Sequence, residues 1–198
     1  DIDNVEQINQ DFYDYLVDKK ASVVQEVRQQ SNSIGLKYKN IDVDIVLAKD
    51  NEDESIKITS DKKQTWIDSN CLRQIDYMEE KNKKYTTFGY KKFMKLFKYL
   101  NKEVLNNKIK SYTLEMLVHQ CVPTNRVDLK IWNAFSETLG NIAELKNIED
   151  IKDCCDSSKK GYDDKDKNGF IYFKDEINEL YKKSLDAING DRKKWEEI

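Results

Sequence analysis

Ile41-Asp42-Val43-Asp44-Ile45-Val46-Leu47-Ala48 is the stretch on which the fold turns. Its β-branched residues favour an extended strand over a helix. Side chains alternate along a strand, so Asp42 and Asp44 share one face while Val43 and Ile45 share the other. A carboxylate among β-branched neighbours is costly to bury unless it is paired or bound to a cation. The spacing alone also suits a half-exposed edge strand with solvated aspartates. Asp1-Ile2-Asp3 repeats the arrangement. Two carboxylates on one strand face, joined by a third from a neighbouring strand, form the oxygen-rich cage that Mg²⁺ prefers. A pair of such ions can activate a hydroxyl and neutralise departing pyrophosphate during in-line attack at phosphorus.

Working outward, residues 36–39 predict a preceding strand, and Ser31-Asn-Ser-Ile-Gly35 reads as the turn before it. Ahead of the turn, Ile8, Phe12, Leu16, Val23, Val24 and Val27 have the spacing of one buried helical face, which predicts a helix over 5–30. Residues 49–54 form a charged loop and 55–59 a short strand. From Asp61 onward the pattern turns helical. Helices are predicted over 88–103 (Phe93, Phe97, Leu100), 111–122 (Leu114, Leu117, Val118, Cys121), 131–139 and 173–189 (Ile177, Leu180, Leu185, Ile188). A small α/β part thus precedes a helical part, with 1–86 and 87–198 as the expected division. Trp66, Trp132 and Trp195 are expected in the core.

Composition narrows the function classes. The 198-residue chain is 38% hydrophobic and 36% charged, polar yet globular, and long enough to fold without disulfides or a structural metal. A net charge of −3 mixes abundant Lys with abundant Asp and Glu, so any site for a polyanion must be local. Cys71, Cys121, Cys154 and Cys155 are too irregularly placed for a disulfide framework, which suits a reducing cytoplasm. Without a CxxC pair, and with His119 the only histidine, spacing predicts no zinc site. No apolar run approaches the length of a membrane span.

The succession of segments carries more than any one of them. Asp1-Ile2-Asp3, the strand ending at Ala48, Gln64-Thr-Trp-Ile-Asp-Ser-Asn70, Phe93-Met-Lys-Leu-Phe-Lys-Tyr-Leu100, Lys110-Ser-Tyr-Thr-Leu-Glu115 and a closing helix near Trp195 follow in that order. This resembles the cGAS/DncV-like nucleotidyltransferases (CD-NTases), cousins of oligoadenylate synthase in the DNA-polymerase-β-like superfamily. The resemblance implies an α/β (α+β) fold, a polymerase-β-like core with a mixed sheet packed against a C-terminal helical lobe. It implies that Asp1, Asp3 and Asp44 are catalytic and hold two Mg²⁺ ions, with Mn²⁺ as a substitute. It further implies that Lys98 and Ser111 contact the donor triphosphate and that Tyr112 stacks on a nucleobase. A lysine offers phosphate a point charge, a helix start offers an anion its N–H groups, and a tyrosine ring offers a base a flat face.

From the same resemblance follow nucleoside triphosphates as substrates, a cyclic di- or oligonucleotide product and a role in bacterial antiphage signalling. A downstream effector would bind the product and a regulatory protein could act as partner, with neither nucleic acid nor membrane required. The Gly-Ser loop that such proteins carry ahead of the paired aspartates has no counterpart before Asp1, and Asn4-Val5-Glu6 turns polar where an apolar strand would continue. Further residues before Asp1 and after Asp3 are therefore expected.

A second metal motif competes. In 164–175, Asp164, Asp166 and Asn168 take positions one, three and five of an EF-hand loop, with Gly169 at six, Ile171 at eight and Asp175 at twelve. The entering side is poor, since Gly161 precedes the loop among polar residues, and no second loop pairs with it. The function classes that remain beside a cyclase are a template-independent transferase acting on RNA or protein, a Ca²⁺-responsive binding module, and a nucleotide-binding scaffold.

Overall fold

The computed structural model describes residues 4–19, 23–30, 33–50, 56–60, 65–69, 71–124 and 129–190. The chain divides into two compact units, Asp1–Leu72 and Arg73–Ile198.

In the first unit, helix α1 (Val5–Lys19) is followed by strands β1 (Val24–Gln29), β2 (Ile34–Tyr38) and β3 (Ile41–Ile45). Asn4 starts α1 by accepting the Gln7 N–H on its side chain at 3.1 Å. The helix expected over 5–30 stops at Lys19, because Val23, Val24 and Val27 lose less side-chain freedom in an extended chain than against a helical turn. A second set follows: β4 (Ala48–Asp50), β5 (Ile56–Ser60) and β6 (Thr65–Ser69). The strand expected over 41–48 is therefore two, with Val46 and Leu47 between them. The helical pattern expected from Asp61 also gives way to β6, where Thr65, Trp66 and Ile67 extend along β5. Both sheets are three-stranded antiparallel meanders, in the orders β1-β2-β3 and β4-β5-β6. Short connections between consecutive strands favour that pairing over a parallel one. α1 packs against β1, β5 and β6.

The boundary between units falls in the first turn of α2 (Cys71–Lys84). Beyond it come α3 (Tyr90–Tyr99), α4 (Ser111–Cys121), α5 (Ile131–Glu144) and α6 (Lys167–Ile188). Tyr90, Phe93, Met94 and Phe97 recur at the spacing of one helical face, and all are buried. With Tyr85, Phe88, Phe135, Leu139, Phe173 and Ile177 they form the core of this unit. The helix expected over 88–103 is α3 plus one wider π turn, Leu100–Val104, where the Leu105 N–H reaches back to Leu100 O at 3.0 Å. Asn106 and Asn107 then adopt left-handed backbone, which asparagine tolerates better than most residues, and Asn101 donates its side-chain amide to Ile109 O at 2.9 Å. That turn sends the chain back into α4. Where α5 meets α6, Gly140 lets the Tyr181 ring approach closely, since a Cβ there would lie 2.9 Å from it and the ring would have to shift.

The EF-hand expectation fails on backbone geometry. Asp164–Asp166 is a 3₁₀ turn, and α6 runs helical from Lys167 through Asn168, Gly169, Ile171 and Asp175. A twelve-residue loop that wraps a cation cannot form from residues already in a helix. Trp132 is 49% exposed rather than core, touching Phe135 edge-on. Trp66 is half-buried, and Trp195 lies outside the described residues. No described helix is long and apolar enough to cross a membrane.

His119 lies buried on α4, its Nδ1 2.7 Å from the Tyr90 hydroxyl and Tyr77 packed edge-on to its ring. Burial, aided by Lys81, lowers its pKa to about 4. Unfolding restores a value of about 6.5, so the unfolded chain binds more protons between those limits. Stability present above pH 6.5 is thus lost as pH falls toward 4, by about 3 kcal/mol from this one group. Denaturant titrations of wild type and His119→Gln across that range should show the variant with the flatter profile. Equal slopes would mean that His119 is not held neutral by burial.

Candidate active site

Asp44 sits near the end of β3, opposite Gly35 on β2, and its side chain is exposed. Gly35 is buried and shapes the sheet face around it. A Cβ there would lie 2.5 Å from Gln30 Nε2 and 3.0 Å from Arg28 Nε, so the bare backbone lets both side chains lie across β2. Gln30 Nε2 donates to Asp44 Oδ1 at 3.0 Å, while the Arg28 guanidinium approaches Asp42 at 3.4 Å. The two carboxylates meet different partners across the sheet. Asp42 faces a cation of the protein itself, whereas Asp44 faces a neutral amide that takes up one of its oxygens. Asp1 and Asp3 lie outside the described residues.

Lys98, Ser111 and Tyr112 all belong to the second unit. Lys98 near the end of α3 pairs through Nζ with Glu115 Oε1 on α4 at 2.5 Å. Ser111 is the first residue of α4 and is exposed, and the N-cap is Lys110. The Lys110 N–H donates to both oxygens of Asp166 at 3.1 Å, and the Thr113 hydroxyl donates to Asp166 Oδ2 at 2.5 Å. Asp166 is buried, so a carboxylate from 56 residues away caps the helix whose start was expected to attract phosphate. Thr113 passes the connection on, accepting the Asp163 N–H at 2.9 Å.

Tyr112 is 37% exposed, with its hydroxyl donating to Asp153 Oδ2 at 2.9 Å and to Lys160 O at 3.1 Å. Burial of the hydroxyl and the adjacent Asp153 carboxylate push its pKa up, so the phenol stays neutral. The hydroxyl end of the ring is thereby anchored, while the residue as a whole remains partly exposed.

No protein-family model matches the chain, and neither does any curated protein. A solved structure does. The structure of STING-associated CdnE c-di-GMP synthase from Capnocytophaga granulosa superposes with a TM-score of 0.67 over 92% of this chain, at 15% sequence identity. The chain shares the fold of that synthase. At that identity the likeness is one of fold, and the chain spans 65% of the synthase's length. The α+β class expected from the sequence is the class observed and shared with that synthase.

Spacing did not reveal the anchors of the predicted residues: Glu115 for Lys98, Asp166 for the start of α4, and Asp153 for Tyr112. Only Asp153 leaves a local signal. Its Oδ1 accepts the N–H groups of Cys155 at 2.8 Å and Asp156 at 3.0 Å, a turn that Asp-Cys-Cys-Asp-Ser-Ser could have suggested.

Proposed function

We propose that this chain is part of an Mg²⁺-dependent nucleotidyltransferase that joins nucleoside triphosphates into a cyclic di- or oligonucleotide and releases pyrophosphate. What carries this is the fold shared with a c-di-GMP synthase over 92% of the chain. Asp44 supports it locally, being an exposed carboxylate with a neutral hydrogen-bond donor and oxygen lone pairs to spare, which suits a hard divalent cation. With Asp1 and Asp3 it would hold two Mg²⁺ ions, which supply charge neutralisation at phosphorus. Asp44 would also accept the proton of the attacking hydroxyl. Lys98 would exchange Glu115 for the more highly charged donor triphosphate, beside Ser111. The Tyr112 ring would receive a base while Asp153 anchors its hydroxyl end. In the cell, the enzyme would act in the cytoplasm in antiphage signalling, its product activating a separate effector.

Incubating the full-length protein with all four triphosphates and Mg²⁺, followed by chromatography, tests this. A phosphatase-resistant product should accumulate in step with pyrophosphate. Nucleotide consumption that appears only after RNA or protein is added would replace the cyclase with a transferase acting on a macromolecule.

A further inference from the structure

The segment from Ile151 to Gly161 folds back on itself around one carboxylate. Its ends are tied by the Asp153 N–H to Lys159 O at 3.1 Å and the Gly161 N–H to Ile151 O at 2.9 Å. Gly161 has no room for a side chain, since a Cβ would lie 2.4 Å from Lys152 O. Inside this closed turn Asp153 is buried, and Oδ1 is fully used by the N–H groups of Cys155 and Asp156. Oδ2 accepts from Tyr112 alone among the described hydrogen bonds, and a carboxylate oxygen has two acceptor positions, so one stays open.

Next in sequence to Asp153 stand two free thiols, Cys154 and Cys155, both half-buried. Their sulfurs are 3.5 Å apart. A tetrahedral ion with metal–sulfur bonds of about 2.3 Å needs its two sulfurs about 3.8 Å apart. One ligand atom each from Asp153, Cys154 and Cys155 lie within 4.8 Å of one another, so an adjustment of about an ångström completes three corners of that tetrahedron. Oxidation to a disulfide fits this pair less well. Consecutive Cα atoms are about 3.8 Å apart, below the span of roughly 4.4–6.8 Å that disulfides adopt. Chelation leaves the sulfurs near where they already are. Two thiolates select a thiophilic ion over Mg²⁺ or Ca²⁺.

We propose that Asp153, Cys154 and Cys155 form a site for one thiophilic divalent cation of the zinc class, its fourth position open to water or an exogenous ligand. Sequence spacing pointed away from zinc for want of a CxxC pair. The folded turn supplies the third ligand instead from the residue just before the cysteines. The site uses none of the residues proposed to hold Mg²⁺, and its Asp153 is also the partner of the Tyr112 hydroxyl.

Cobalt provides the direct test. Full-length protein stripped with a chelator and titrated with Co²⁺ should develop a thiolate-to-cobalt charge-transfer band that saturates at one equivalent and is bleached by Zn²⁺. The band should persist in Cys121→Ser and vanish in Cys154→Ser combined with Cys155→Ser. Should the double variant fold poorly, alkylation of the wild type followed by peptide mass analysis decides the matter. One equivalent of Zn²⁺ should slow labelling of Cys154 and Cys155 at least tenfold. No band in the wild type, a band of equal strength in the folded double variant, or labelling unchanged by Zn²⁺ would each overturn the assignment.

Discussion

Replacing Asp44 by asparagine is expected to abolish nucleotide condensation while leaving the first unit folded. Asparagine keeps the carbonyl oxygen that accepts the Gln30 amide, so the contact across β2 survives and the local structure has no reason to change. What is lost is the negative charge. A metal that stabilises transition-state charge by several kcal/mol depends on its carboxylates, and each 1.36 kcal/mol is tenfold in rate. A fall in turnover of about 10²–10³-fold or more is therefore expected. Product chromatography on the full-length variant checks it, with circular dichroism as the control for folding. Turnover within a few-fold of wild type would remove Asp44 from the chemistry.

Asp166→Ala should be strongly destabilising to the second unit. The carboxylate is buried and receives the Lys110 N–H and the Thr113 hydroxyl, and alanine leaves both donors without it. A buried polar group deprived of its partner costs about 1–3 kcal/mol, so the pair should cost about 2–6 kcal/mol. In a chain of this size that corresponds to a fall in Tm of roughly 5–25 °C. Asp166→Asn, which keeps one acceptor oxygen, should fall between alanine and wild type. Calorimetry of the three proteins measures the series. A fall below about 1 °C for alanine would show that α4 does not rely on this cap. Added Ca²⁺ should shift none of the three, because Asp164–Asp166 is a turn and Asp175 lies inside α6.

The sequence could be read where the structure depends on neighbours along the chain. The apolar spacing of Phe93 and Phe97 or of Leu114, Leu117 and Val118 marks a buried helical face whatever it packs against, and these residues are in the core. Asp44 is outward on its strand, but Ile41 and Val43 are exposed too, so burial along β3 does not follow the alternation. Legibility ended where one pattern admits two periods. Ile8 to Val27 counts as a helical face on paper, but β-branching carried its second half into β1. The 164–175 stretch has the oxygens of a calcium loop, yet the apolar run Phe170, Phe173, Ile177 drew its backbone into α6, whose buried face those residues form. The site was legible as residue types and not as partnerships. Lys98 could be named as a cation, but Glu115 is met only when α3 packs on α4. Thr113 and Asp166 are 53 residues apart, and Tyr112 and Asp153 are 41 apart, far beyond the reach of any local repeat.

Among the described strands β3 lies at the edge of its sheet, with Ile41 and Val43 exposed on it. An edge of this kind offers unpaired backbone groups to the edge of a second molecule. If two copies of β3 met antiparallel about Val43, Asp42 of each would stand opposite Asp44 of the other, and like charges directly across a pair of strands repel. In that register the carboxylate suited to a cation would also be one of the charges opposing self-association of this edge. Loss of the Asp44 charge, by substitution or by a bound ion, removes that repulsion from both sides of the encounter.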